Sequence, residues 1–316
     1  MKHKIIAALI VLFVVSSLPI ASLASSISGA TTQGKNKLGL GLDEEYVFER
    51  DLKASPWTFT RRVFINAVGV IATTRGENTV NKKDTEIEMM SRSLGKASYG
   101  LLDNLDIYVK LGTTDLRMQQ IYSSRSFFSI PTLLAGWVNV NDGKIKYKTD
   151  QGFTYGGGFK VTYDLPEDWK IGMDAQYLRH ENDYVCTASY RVVNIPVVGI
   201  MNVWEESYRG KLTIQEWQVA PYLAKKLGNF TPYLGAKYSY LQIYEESNSG
   251  LDHMVSDLAG NMPDRGSESF TIRFKTKNSV GPFVGLDYKF NDNLSLNLEG
   301  RFIDETAVSF SANYKF

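Results

Sequence analysis

The last ten residues, Ala307-Val308-Ser309-Phe310-Ser311-Ala312-Asn313-Tyr314-Lys315-Phe316, alternate in character at every step. Val308, Phe310, Ala312, Tyr314 and Phe316 share one parity; Ala307, Ser309, Ser311, Asn313 and Lys315 share the other. A period of two marks an extended strand whose faces meet different surroundings. The pattern repeats upstream. Leu294, Leu296, Leu298, Gly300 and Phe302 oppose Ser295, Asn297, Glu299 and Arg301 across a turn at Asn291-Asp292-Asn293, and Val280, Pro282, Val284, Leu286, Tyr288 and Phe290 oppose Gly281, Phe283, Gly285, Asp287 and Lys289.

A half-buried sheet in a secreted sandwich would also alternate. Here, however, the polar face carries acids and bases at successive positions, which a packed dry core would reject, and the apolar face is fringed by aromatics at both strand ends. The apolar face is therefore expected to meet lipid and the polar face a lumen. Further hairpins read alike: 153–163 and 169–177 around Leu165-Pro166-Glu167-Asp168, 217–223 and 230–240 around Lys226-Leu227-Gly228-Asn229, and 97–101 and 105–111 around Asp103-Asn104. Pro221 and Pro232 each remove a ladder hydrogen bond, so bulges or strand ends are expected there.

Short turns near 102, 166, 228 and 292 alternate with long segments at 51–83, 119–150, 184–207 and 247–267. With a first strand at 38–48, this predicts an all-β, antiparallel up-and-down transmembrane β-barrel of about ten strands. Twelve are allowed if 135–140 and 144–148 form an extra hairpin around Asn141-Asp142-Gly143. Residues 56–71 fit a helix, a strand extension or a plug, because Val63, Phe64, Ala67, Val68 and Ile71 fall at helical spacing after Ser55-Pro56. The apolar run 192–201 is odd for a water-facing loop and is expected to pack on the rim or a partner.

Composition agrees. The 316 residues are 43% hydrophobic and 22% charged, with 18 Tyr, 16 Phe, 5 Trp and 26 Gly, a heavy aromatic and glycine load for a helical protein. The formal charge of +1 becomes −1 if Lys2 and Lys4 leave with a leader, so no broad field recruits nucleic acid. Lys2-His3-Lys4, the apolar run 5–15 and Ser22-Leu23-Ala24 predict a secretory signal peptide over 1–24, followed by an N-terminal periplasmic segment over 25–36 and the barrel over 37–316.

These features resemble the single-chain outer-membrane β-barrels of Gram-negative bacteria, a grouping that includes porin-like and small monomeric barrels. The resemblance implies a bacterial outer-membrane, cell-surface location, short turns on the periplasmic side and lipid as surroundings. Phe316, with Tyr314, Phe310 and Val308 before it, is similar to the C-terminal signal read by the barrel-assembly machinery in that superfamily. It is silent on function and on oligomeric state.

The inward parity carries Lys96, Lys110, Lys160, Lys170, Lys237, Lys289 and Arg301 against Asp106, Asp164, Asp174, Glu216, Asp287 and Glu299. In a water-filled lumen they set solute selectivity; in a narrow barrel they pair and close it. Inner glycines Gly156, Gly158, Gly172, Gly235, Gly281 and Gly285 leave lumen volume or make room for large neighbours, while Tyr108, Tyr222, Tyr233 and Phe283 fill it. His180, beside Glu181 and Asp183, and His253, near Ser256 and Asp257, match no catalytic motif, so no catalytic, cofactor or metal residue is assigned. Cys186 reads as a surface thiol or a tolerated residue. The expected role is a porin-like passive channel for small solutes or a structural surface barrel. An adhesin or receptor displaying long loops to an extracellular ligand is the alternative, and a rim hydrolase a third class.

Overall fold

The computed structural model describes residues 29–55, 57–65, 70–79, 85–130, 134–193, 203–247, 250–255, 262–267 and 270–316. The strands are β1 (Leu38–Ala54), β2 (Trp57–Ile65), β3 (Val70–Thr79), β4 (Thr85–Leu102), β5 (Leu105–Ile130), β6 (Leu134–Thr149), β7 (Gly152–Asp164), β8 (Trp169–Val193), β9 (Val203–Lys225), β10 (Phe230–Ser247), β11 (Gly250–Val255), β12 (Met262–Ser267), β13 (Phe270–Thr276), β14 (Val280–Lys289), β15 (Leu294–Arg301) and β16 (Thr306–Lys315). Ten of them close an antiparallel ring in the order β1, β4, β5, β7, β8, β9, β10, β14, β15, β16 and back to β1. The seam between first and last strands pairs without a break from Gly39↔Lys315 to Val47↔Ala307, shifts register between Val47 and Glu49, and has the Phe316 amide donating to the Leu38 carbonyl at 2.9 Å. Closure leaves no bare edge at this height, which lipid would not tolerate.

Outward parity is apolar and exposed around the whole ring. Phe153 and Tyr163 stand ten residues apart on β7 and are 60% and 56% exposed, while Leu111, Val109, Leu234 and Val284 between the two aromatic levels all exceed 50%. An aromatic-bounded belt of that height matches the ~9–11 strand residues that cross a bilayer. The short-turn rim is polar. There Lys289 lies 2.7 Å from Asp292 and holds its exposed carboxyl below the usual carboxylate range.

The strands overrun the belt. β5 has 26 residues, β8 25 and β9 23, so each extends well past the upper aromatics. This corrects the reading of 119–150 and 184–207 as loops: their described residues are barrel wall. Above the belt β6 continues the line of β7 between β5 and β8, and β13 continues β14 between β10 and β1. The hairpin proposed around Asn141-Asp142-Gly143 is likewise corrected. β6 runs straight through it, with a register shift between Asn141 and Lys144 against β8, so the extra residues are absorbed as an irregularity in one strand. The described parts of 56–71 are strand, β2 and β3 pairing from Trp57↔Asn78 to Ile65↔Val70, which overturns the helix. Segment 192–201 lies outside the described residues beyond Val193, as does the leader.

The prolines also behave differently from expectation. β9 and β10 run through Pro221 and Pro232 with constant register; the β9–β10 ladder only skips the pairs between Gly235↔Tyr222 and Tyr238↔Val219. Pro221 points outward, so the lost hydrogen bond is local and needs no bulge.

Candidate functional site

Inward parity fills the lumen at three levels. The lowest, nearest the short-turn rim, is polar and aromatic. Lys110 Nζ lies 2.8 Å from Asp43 and Lys160 3.7 Å from Asp174; the Tyr108 hydroxyl donates to Asp174, and the Lys96 ammonium stands 4.9 Å over the Tyr108 ring. Across the ring Tyr233 donates to Glu299 at 3.1 Å, and Asn297 donates to Asp287 at 2.6 Å. Tyr222 and Thr162 share a hydrogen bond of 2.7 Å.

The inner glycines make room for large neighbours. A Cβ on Gly158 would strike the Tyr108 ring, on Gly172 the Tyr222 ring, on Gly285 the Tyr233 ring, on Gly235 the Phe283 ring, on Gly156 Leu178 and on Gly281 the Asp304 carboxylate. Each large inward side chain lies across a glycine on a neighbouring strand, so the narrow barrel accommodates tyrosines that would otherwise collide with its wall.

The middle level is an ion network. Arg50 Nη1 lies 2.6 Å from Glu216 and 3.1 Å from Glu305, while its Nη2 donates to Ser239 at 2.7 Å. Arg92 bridges Glu216 and Glu45, the latter at 2.9 Å; Arg301 pairs with Glu45 and lies 3.2 Å from Glu305; Lys237 meets Glu305 and, at 3.1 Å, Asp304. All of these side chains are almost fully buried. Asp304 and Glu305 come from the short connection between β15 and β16. Ile303, 74% exposed on the outer side, has φ +79, a left-handed turn that a β-branched residue adopts only when its surroundings impose it. That inversion sends the next two carboxylates inward to the guanidinium groups.

The upper level, beyond the belt, is apolar. Leu52, Ile87, Met90, Leu116, Met118, Ile145, Leu212, Ile214, Leu241, Ile243, Ile272 and Phe274 pack together from seven strands, and in their midst Glu245 accepts hydrogen bonds from Tyr184 at 2.5 Å and Tyr147 at 3.1 Å. Cys186 is buried in this layer, which corrects the surface-thiol reading.

Of the thirteen charges assigned inward, ten are buried in the lumen; Asp164, Lys170 and Lys289 sit at the short-turn rim, where Lys170 pairs with Asp164 and Lys289 with Asp292. His180 points inward and is buried, but Glu181 points out and pairs with Arg179 at 2.6 Å, so the acid beside it in sequence is on the other side of the wall. His253 is placed by its backbone opposite Asp264. Sequence reading missed Asp43, Glu45, Arg50, Arg92, Asp304 and Glu305, the greater part of the network. It also missed the approach of Glu49, Asp51 and Glu86 on the outer wall, whose carboxylates lie within 4.8 Å of one another, with Lys277 2.5 Å from Asp51.

No family model matches the chain. It is 23% identical over 332 residues to a major outer membrane porin of Chlamydia pneumoniae, covering 88% of this chain and 85% of that one, and a second porin of the same name and organism matches at 22%. Among solved structures it is similar to the outer membrane protease OmpT of Escherichia coli, at TM-score 0.37 and 11% identity over 89% of this chain and 97% of that one. It is also similar to the Ralstonia pickettii toluene transporter TbuX, at TM-score 0.30 and 14% identity over 89% of each. With its closed ten-strand ring, its exposed apolar belt and its two outer membrane porin relatives, the chain is a β-barrel of the bacterial outer membrane.

Proposed function

We propose that the protein is a porin-like, non-enzymatic channel for ions and small polar solutes, and that the arrangement described is its closed form. One observation carries this reading: at bilayer height the lumen is crowded with acidic and basic side chains where a structural barrel would carry an apolar core. Buried ion pairs are no more stabilising than apolar packing of equal volume, so a purely structural barrel gains little from them. A path that rehydrates needs them. The porin relatives support the same reading.

Around the two lower levels Arg50, Arg92, Lys96, Lys110, Lys160, Lys237 and Arg301 face Asp43, Glu45, Asp106, Asp174, Glu216, Asp287, Glu299, Asp304 and Glu305. Among the described residues the carboxylates outnumber the bases by two, so weak cation preference is expected. The test is single-channel recording from the refolded mature protein in a planar bilayer, after heat-dependent gel mobility shows a folded barrel. Discrete steps with a cation-selective reversal potential in a KCl gradient are expected. A folded barrel that never conducts overturns the channel.

The height of the wall above the belt favours a second reading, surface display: strands of 23 to 26 residues carry the β2–β3 and β11–β12 hairpins well clear of the lipid. Deleting the β11–β12 hairpin should abolish ligand binding with permeability unchanged if display is the role, and leave any binding intact if it is not. Recognition of Phe316 by the barrel-assembly machinery is part of the proposal, tested by loss of assembly in Phe316→Ala.

A further inference from the structure

Residues 29–36 cross the mouth of the lumen at its short-turn end, the periplasmic side in the reading proposed above. They are tied to opposite walls: the Gln33 amide donates to Asp106 at 2.8 Å, Thr32 Oγ1 to the Asp103 carbonyl at 2.9 Å and the Asn36 amide to the Gly100 carbonyl at 2.8 Å. On the far wall the Ala30 amide donates to Asp287 at 2.5 Å, while Lys160, the cross-strand neighbour of Asp106, donates to the Gly29 carbonyl at 2.5 Å. The seat is shaped for the segment. A Cβ on Gly100 would strike the Gly34 carbonyl, and one on Gly29 would meet Asp287 at 2.9 Å. Above the segment lies a small polar chamber lined by Lys96, Ser98, Asp106, Tyr108, Lys160 and Asp287.

We propose that residues 29–36 are a removable periplasmic gate, which seals this chamber when seated and opens it to the periplasm when released. The inference rests on the channel reading and names how that channel is regulated at its periplasmic end. Its chemistry favours release. Gly-Ala-Thr-Thr-Gln-Gly-Lys-Asn contains no large apolar side chain, and only Ala30 is packed, against Ala220, Tyr222 and Phe283. The remaining contacts are hydrogen bonds that water replaces. Positive φ at Gly29, Gly34 and Asn36 provides hinge points at both ends of the segment. A permanent plug would be expected to anchor itself with buried apolar groups, as the upper level of this lumen does.

The test places a thiol in the chamber, Ser98→Cys in a Cys186→Ser background, and follows its labelling by a membrane-impermeant maleimide in nanodiscs. With the full mature chain labelling should be slow; with a chain beginning at Lys37 it should be at least tenfold faster, and Asp287→Asn should fall between. Equal rates overturn the gate. If the shortened chain does not fold, Ala30→Cys with Ala220→Cys, again in the Cys186→Ser background, locks the segment in the full chain: oxidation should abolish the conductance steps and reduction restore them. Unchanged conductance through that cycle also overturns the gate and leaves the channel standing. Labelling that depends on the segment, in a barrel that conducts in no form, overturns the channel and with it the gating role.

Discussion

Glu216→Ala should lower the unfolding free energy by about 3–5 kcal/mol, the usual cost of removing one partner from a buried ion pair. Its carboxylate accepts from Arg50, Arg92 and Ser239 at once, so its loss takes one of two carboxylate partners from each of two buried guanidinium groups, leaving Arg50 with Glu305 and Arg92 with Glu45. The Arg179–Glu181 pair is the internal control. Its side chains are 35% and 58% exposed, and Glu181→Ala should change stability by less than about 1 kcal/mol. Urea unfolding in lipid, followed by tryptophan fluorescence and gel mobility, measures both. A Glu216→Ala midpoint matching the parent would mean that the middle of the lumen is hydrated and that its ion pairs are loosely held. The same substitution should enlarge the conductance step, because Glu216 joins guanidinium groups from β1 and β4 across the lumen.

Why the network was only half legible follows from a single residue. Strict alternation along β1 from Leu38, Leu40 and Leu42 puts Arg50 on the lipid face with Tyr46 and Phe48. The register between β1 and β16 shifts between Val47 and Glu49, and that irregularity turns Arg50 inward and Glu49 and Asp51 outward. No residue type in Tyr46-Val47-Phe48-Glu49 announces it. Asp304 and Glu305 escaped for a related reason: they lie in a connection, where parity has no meaning, and enter the lumen only because Ile303 reverses the backbone. By contrast β7, β14, β15 and β16 keep one side in lipid along their whole length, so their alternation was readable to the residue. The long strands β5, β8 and β9 lost their signal above the belt, where the outer face meets water and turns polar while the inner face turns apolar, the reverse of the pattern in lipid. Lipid writes the pattern, and where lipid ends a strand resembles a loop. Which ring lies over which glycine depends on the stagger between strands, and alternation along a single strand does not encode it.

The membrane boundary inferred from the belt can be tested on one strand. Leu234 and Tyr244 share the outward parity of β10, ten residues apart, about 25 Å along the barrel axis for a strand tilted near 40°. Leu234 is 59% exposed in the middle of the belt, flanked on its neighbours by Leu223 and Val284. Tyr244 stands where the outer wall is already charged, with the Arg273 guanidinium 5.7 Å from its ring. Leu234→Arg should therefore cost about 2–4 kcal/mol in a bilayer, the penalty for a guanidinium near the lipid midplane. Tyr244→Arg should cost about 1 kcal/mol or less, most of it from the lost ring contact. Reversible unfolding in phosphatidylcholine vesicles reads both. The difference should also shrink in detergent micelles, whose water comes closer to the wall. Equal costs at the two sites would move the bilayer up the barrel, submerge the ion pair between Lys277 and Asp51, and place the apolar upper layer at membrane depth, where it would act as a core and not as the outer closure of a channel.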